Sequence, residues 1–483
     1  MIKSNIKIND KFSVVINITY DKIFNRKKSK YTTLTYLFIP ESLNINNKTY
    51  PETKFYNDVR LNVKYDTPNY KLEDLYLGEK SLLNSLEKKA SKFLENRTKK
   101  NKWHFTDQVK MFSATLSDLL NNETKQLIQS ENISSKDIQC FLENIPIILS
   151  EFRDLVNKIE SSSLKEESKN IVFYSDEHIS NSIELQLTNL YHHLQNINFS
   201  TTDLDLIAKL INKEQKYKKH NNYDSPKDKS IKPEDLIYKR NRLKNYIESI
   251  FYLNQNIRKD GVIFEQSILA LAAGMAMIFS TAIAFYYQQI YGNFTIPFFG
   301  ALVVSYMLKD RIKGSIGLLF ISRSQSFFYD YKIKITNNLG KKVGKIKENF
   351  VFVPLNKLGN KIKKYRLKEL ILKLNINSLN EQVIQYKKKI VIYPKRFGDD
   401  LPDENIIGLT DITRLNFHRF IQYMDDPKKD YVLVKKGEIQ NKETNKLYHI
   451  NIIQKYYTEE GIMFNRYRVI MNRDGIKRIE NIA

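Results

Sequence analysis

Apolar residues keep three different rhythms along this chain. Residues 12–19 (FSVVINIT) and 33–39 (TLTYLFI) are dense in β-branched and aromatic side chains and read as strands, with Pro40 ending the second. Pro51 and Glu52 open a segment reaching Lys64. It reads as a helix through Phe55, Val59, Leu61 and Val63, or as a strand in which Leu61, Val63 and Tyr65 alternate. From about residue 71 the period turns helical. Leu82, Leu86, Ala90 and Phe93 form one stripe, and a helix capped by Thr106 carries Val109, Phe112, Leu116 and Leu120. Another, opening at Ser135, carries Ile138, Phe141, Ile145, Ile148 and Phe152, with Pro146 expected to kink or split it. Stripes through Ile183, Leu187, Leu190 and Leu194, and through Leu204, Ile207 and Leu210, complete a bundle of five or six helices.

The third rhythm is unbroken. Residues 266–308 hold no Lys, Arg, Asp or Glu, and within them 268–287 (ILALAAGMAMIFSTAIAFYY) are almost wholly apolar. Twenty such residues make a helix about 30 Å long, the thickness of a bilayer's hydrocarbon core. A polar break at 288–293 precedes a second apolar run, 294–308, which is short for a full span at about 22 Å. It crosses with Lys309 snorkelling, or else stays a re-entrant half-span. A two-helix transmembrane hairpin is the expectation. Ala272, Ala276, Ser280 and Ala284 recur every four residues on its first helix, and Gly300, Ala301 and Ser305 are the small residues of its second. Small side chains let helix backbones approach closely in lipid, for hairpin closure or for contact between copies.

Before the hairpin, residues 216–233 (KYKKHNNYDSPKDKSIKP) read as a linker, followed by a juxtamembrane helix over 234–258 and a joint at Gly261. After it, residues 311–322 mix cations with apolar residues and read as an interfacial segment. Strands are expected at 327–336, 348–354, 389–393, 431–434, 447–457 and 462–471, with a basic helix at 361–374. The fold class is therefore an α+β membrane protein: a small α/β module (1–70), a helical bundle (71–215), linker and juxtamembrane helix (216–261), the hairpin (262–308), a basic membrane-proximal segment (309–398) and a mainly β C-terminal domain (399–483).

Charge orients these parts. The net charge of +24 is concentrated after the hairpin, where residues 309–398 hold 22 Lys or Arg against five acids, whereas residues 101–210 hold nine against 16. Cations flank both ends of the hairpin and its loop carries none, so both termini are expected in the cytoplasm of a multi-pass membrane protein. Lys309, Arg311, Lys313 and Arg323 are the expected contacts to anionic head groups. Aromatic residues interleaved with these cations also suit nucleic acid, the rival partner. A lone cysteine, Cys140, excludes an intramolecular disulfide, and the N-terminus has no apolar stretch of the signal-peptide kind.

Candidate chemistry is sparse. Asp399, Asp400, Asp403 and Glu404 form the densest acidic group and the one candidate for Mg²⁺ or Ca²⁺, although a solvated turn explains it equally. His192 and His193 with Asp203 and Asp205 lack a metal-site spacing, and residues 340–345 (GKKVGK) lack the spacing and hydroxyl of a phosphate loop. No catalytic motif is found and no cofactor is expected. These features favour a non-enzymatic membrane-anchored sensor, effector or scaffold with a cytosolic protein partner, working as a homo-oligomer. The alternative is a membrane-tethered metal-dependent enzyme or nucleic-acid binder.

Overall fold

The computed structural model describes residues 2–21, 26–68, 70–78, 81–130, 133–224, 232–293, 295–324, 328–368, 380–397, 406, 408–435, 438–458 and 461–482, without the side chains of 321–324, 435 and 438. The chain is a mixture of helix and sheet, and it divides into two compact units. One gathers Met1–Val63, Leu253–Phe397 and Leu409–Ala483; the other holds Lys64–Tyr252 and Gly398–Gly408.

The first unit is built on two sheets. Its early elements are β1 (Ile2–Asp10), β2 (Ser13–Asp21), β3 (Ser29–Pro40), the short helix α1 (Glu52–Asp58) and β4 (Val59–Tyr65). Residues 51–65 thus satisfy both sequence readings in turn, helix first and strand second. Later come β5 (Asn254–Lys259), β6 (Tyr331–Thr336), β7 (Lys342–Phe352), β8 (Glu381–Ile392), β9 (Gly408–Asn416), β10 (Lys428–Lys435), β11 (Glu438–Asn445), β12 (Tyr448–Thr458), β13 (Gly461–Asn472) and β14 (Gly475–Asn481). Eight strands pair in the order β14-β13-β12-β3-β8-β7-β6-β5 and four in the order β1-β2-β9-β4, while β10 and β11 form a ribbon. Thr35 at the centre of β3 lies opposite Tyr386 on one side and Gln454 on the other. Segments far apart in the sequence are therefore hydrogen-bonded neighbours.

Alternation decides the faces. In β2 Val14, Ile16, Ile18 and Tyr20 are buried while the residues between them are half-exposed. β3 is buried on both faces over most of its length. Its inner side meets the small sheet through the Tyr20 and Thr33 hydroxyls, 3.1 Å apart. Its outer residues Leu34, Tyr36 and Phe38 are covered by Leu358 and by Ile362 of a helix at Asn360–Leu367. The basic helix expected at 361–374 is described only this far.

Six helices form the second unit: α2 (Leu82–Glu95), α3 (Lys99–Gln129), α4 (Ser135–Glu160), α5 (Glu166–Asn196), α6 (Thr201–His220) and α7 (Pro233–Glu248). Ser81, Thr98 and Ser134 cap three of them, each hydroxyl accepting from a backbone N–H three residues on. Thr98 thus begins α3 ahead of the cap expected at Thr106. α4 runs through Pro146 as one element, with Ile145 and Ile148 buried on either side of the ring. Packing outweighs the missing hydrogen bond. Phe93 stacks on Phe105 and Phe112 on Phe152 in the core.

Two further boundaries, on either side of the expected linker, differ from expectation. The stretch read as a linker begins inside α6, whose Lys218 is fully buried against Glu184. The juxtamembrane helix stops at Glu248, and residues 254–259 form β5, because that strand completes the edge of the large sheet beside β6.

Candidate functional site

Between β5 and β6 the chain leaves the large sheet as two long helices, α8 (Val262–Tyr291) and α9 (Ile296–Ser324). Ser280 meets Ser305 and Leu269 meets Gly317, so residue numbers rise on one helix as they fall on the other. The pair is antiparallel. α9 runs unbroken to Ser324, so residues 311–322 continue the helix and do not form a separate interfacial segment.

Small residues line the seam. Ala272 and Ala276 are completely buried under α9, with Ile268 beside them. Ser305 is also buried; its hydroxyl lies 2.7 Å from the Ser280 hydroxyl and donates to the Ser280 carbonyl oxygen at 3.0 Å. Ala284 and Ala301 are half-buried, and Gly300 is exposed. Large apolar side chains point outward: Ile263 is 85% exposed, Leu271 68% and Leu318 73%. Among the described residues α8 is the one helix long and apolar enough to cross a membrane, and 17% of its most apolar window is buried. A soluble core helix shows the opposite pattern.

The base of the pair is anchored. Lys259 and Tyr331 are cross-strand partners, Asp260 N donates to the Asp330 carbonyl at 3.2 Å, and Lys347 Nζ donates to the Asp260 carboxylate. Gly261 begins α8 at φ +85°, where a Cβ would stand 2.8 Å from the Phe328 ring. The joint requires glycine both for its backbone angle and for that approach.

Register changes the setting of the cations. By the pairs above, Lys309, Asp310, Arg311 and Lys313 stand level with Ala272–Ala276, midway along the helices and not at their end. Lys309 caps the Tyr306 ring at 3.8 Å from its centroid, and Asp310, Arg311 and Lys313 are exposed. Arg323 lies in the last turn of α9.

Ionisable groups elsewhere are closed on one another. In the first unit Lys388 donates to Asp411 and Thr413 between the two sheets, and the Tyr386 hydroxyl donates to Glu348, whose carboxyl burial pushes above the usual range. In the second, Arg153 forks onto Glu214 at 3.0 and 2.7 Å and lies over the Tyr217 ring. Asp176 accepts from Tyr217 and Tyr223 at 2.8 and 3.0 Å, and burial raises its pKa. A cavity of about 230 Å³ beside Arg153 and Glu214 is also lined by Ser150 and Lys213 and by the apolar Ile145, Pro146, Leu149, Ile183 and Leu210. Arg153 and Glu214 already face each other, which leaves neither as a free acid or base, and Lys213, the third charged residue of the lining, is exposed to solvent. Sequence reading missed these pairs. Their signal is a charge inside an apolar stripe, as Arg153 is between Phe152 and Leu155.

The remaining candidates do not converge. Asp399, Asp400, Asp403 and Glu404 lie outside the described residues. His192 is exposed, whereas Asp203 is buried and accepts from Ser135 and Gln139. Gly340 sits at φ +76° in the turn joining β6 to β7, so residues 340–341 belong to a hairpin turn and residues 342–345 to the start of β7. Among the described residues no group of three or more His, Cys, Asp or Glu is placed to hold a metal. In comparison with known proteins, the chain matches no family, no curated protein and no solved structure.

Proposed function

We propose that this chain is a non-enzymatic integral membrane protein, a sensor, effector or scaffold whose α8–α9 hairpin enters the bilayer loop first and returns, leaving both units in the cytoplasm. The observation that carries this reading is the outward apolar surface of α8, which water would leave unsatisfied and lipid would cover. Gln266–Tyr291 gives an uncharged helix of about 39 Å, enough for a core of about 30 Å. The pairing of Lys259 with Tyr331 supports a return to the side of entry, since adjacent strands hold both ends of the hairpin. At this depth the charges at 309–313 lie within the membrane, where ionised groups persist against a counter-charge or water. Asp310 offers a counter-charge within its own helix, and a second copy offers another.

The test is fractionation of the full chain. It should remain in the pellet after alkaline carbonate extraction and ultracentrifugation, with tags at its two termini both reached only after the cytoplasmic face is opened. Recovery in the supernatant, or tags on opposite sides, would end the proposal.

A further inference from the structure

Strand register assembles a surface that the sequence scatters. Arg258, Lys332, Lys347 and Lys389 are successive cross-strand neighbours on β5, β6, β7 and β8. In the next row Lys334 faces Lys345, which faces Val391, which faces Lys30 of β3. Partners in an antiparallel ladder share a face, so these cations stand on one side of the sheet, with Lys387 beside them. Their alternate neighbours Ile333, Ile335, Ile346 and Ile390 are buried on the other side. Lys30, Lys332, Lys334 and Lys389 are exposed. Burial, with Lys332 and Lys347 alongside, holds the Lys345 ammonium below its usual pKa. Asp260 pairs with Lys347, and its charge also reaches Lys345.

Like charges directly opposite one another destabilise a sheet, and Lys332–Lys347, Lys334–Lys345 and Lys347–Lys389 are all such pairs. A fold gains nothing internally from this arrangement; an anionic surface laid against it does. Position selects which one. Arg258 and Lys332 of the first row stand one residue from Lys259 and Tyr331, where the hairpin departs, and Lys334 of the second lies within about a Debye length of it, ~10 Å. We infer that the outer face of β5–β8 is a docking surface for the anionic head groups of the membrane that receives the hairpin. The inference rests on the membrane reading above and adds the lipid class and the residues that recognise it.

The experiment uses the full chain reconstituted in vesicles of phosphatidylcholine alone or with phosphatidylglycerol. Flotation scores insertion, and amine-reactive labelling scores docking. The chain should float with both vesicles. Lys332, Lys334 and Lys389 should label several-fold more slowly in the anionic vesicles at low salt, and high salt should abolish the difference, while Lys477 labels alike throughout. Lys332→Gln and Lys389→Gln should each weaken the protection by about fivefold. The same variants should raise thermal stability, because they remove a like-charge pair, so lost docking cannot be ascribed to lost folding. Flotation with equal labelling in the two lipids would overturn the docking and spare the membrane reading. Protection by an oligonucleotide and not by anionic lipid would likewise overturn it. Failure to float with either vesicle would overturn the membrane reading itself.

Discussion

Ser305 donates its hydroxyl proton to the backbone oxygen of Ser280, so a side chain of one hairpin helix bonds the main chain of the other. That geometry requires the helices to touch without an intervening bulky residue, as buried Ala272 and Ala276 permit. Ser305→Leu should force the pair apart, whereas Ser305→Ala should cost only about 0.6 kcal/mol, a typical interhelical hydrogen bond in lipid. Cysteines at 269 and 317, in a Cys140→Ser background, would report closure. Efficient disulfide formation in the Ala variant and its loss in the Leu variant is the expected result; equal formation in both would show that the seam does not depend on Ser305.

Asp310 stands among Lys309, Arg311 and Lys313 at the middle of α9. On the proposed membrane reading, each ionised residue at this level costs about 2.5–3.5 kcal/mol. Asp310→Asn removes the local counter-charge and should lower the carbonate-resistant fraction. Adding Arg311→Gln and Lys313→Gln should restore it, because fewer charges then need cover. An unchanged fraction for Asp310→Asn would mean that this level of the hairpin lies outside hydrocarbon.

What the sequence conceals follows from where each element lies. β2, β3, β12 and β13 are legible because their buried faces demand alternating large residues. β1, β5 and β14 lie at sheet edges and β11 in a two-stranded ribbon, where one neighbour's backbone suffices and few apolar residues are needed. Their sequences carry little strand pattern: NQNIRK reads as the end of the juxtamembrane helix, and GIKRIEN carries no alternation of large apolar residues. β9 is interior yet carries Asp411, which no local pattern explains until Lys388 is seen opposite. The first helix of the pair is legible from apolar length alone, whereas α9 runs on to Ser324, beyond the apolar run that ends at Leu308. The register of the pair is not legible, and with it goes the level of Lys309–Lys313. The cation face is equally hidden: the hairpin separates Arg258 from Lys332 in sequence, and pairing reunites them.

His178 on α5 is buried, with its Nε2 3.1 Å from the Ser117 hydroxyl. Burial, reinforced by Lys244 against the pull of Asp118, lowers its pKa from 6.5 to about 4. The folded chain therefore keeps this ring neutral where the unfolded chain is already protonated. Stability is complete above pH 6.5 and falls as the pH drops toward 4, by about 3 kcal/mol for this group. Asp107 works the other way, since burial raises its pKa to about 6 and the folded chain takes up its proton first. Comparison of the native chain with His178→Gln cancels that contribution. Unfolding followed by the fluorescence of Trp103, the one tryptophan, should show a gap between them that changes by about 3 kcal/mol from pH 7 to pH 4. Parallel curves would refute the assignment.

Arg153 is the hinge of the second buried network. Its guanidinium holds Glu214 at 2.7 Å and reaches Asp176 at 3.4 Å, and both carboxylates are almost inaccessible to water. Removing the cation strands two buried negative charges, so Arg153→Met should cost about 3–5 kcal/mol. Asp176 would still accept from Tyr217 and Tyr223, whereas Glu214 would keep Ser180 as a donor at 2.8 Å, which makes Glu214 the larger loss. Glu214→Leu in the same chain should therefore recover much of the stability, since a buried ion pair replaced by apolar residues of similar volume is often neutral. Denaturant midpoints read from Trp103, at unchanged m-value, give the double-mutant cycle directly. A double variant whose loss equals the sum of the two single losses would show that Arg153 and Glu214 are not coupled.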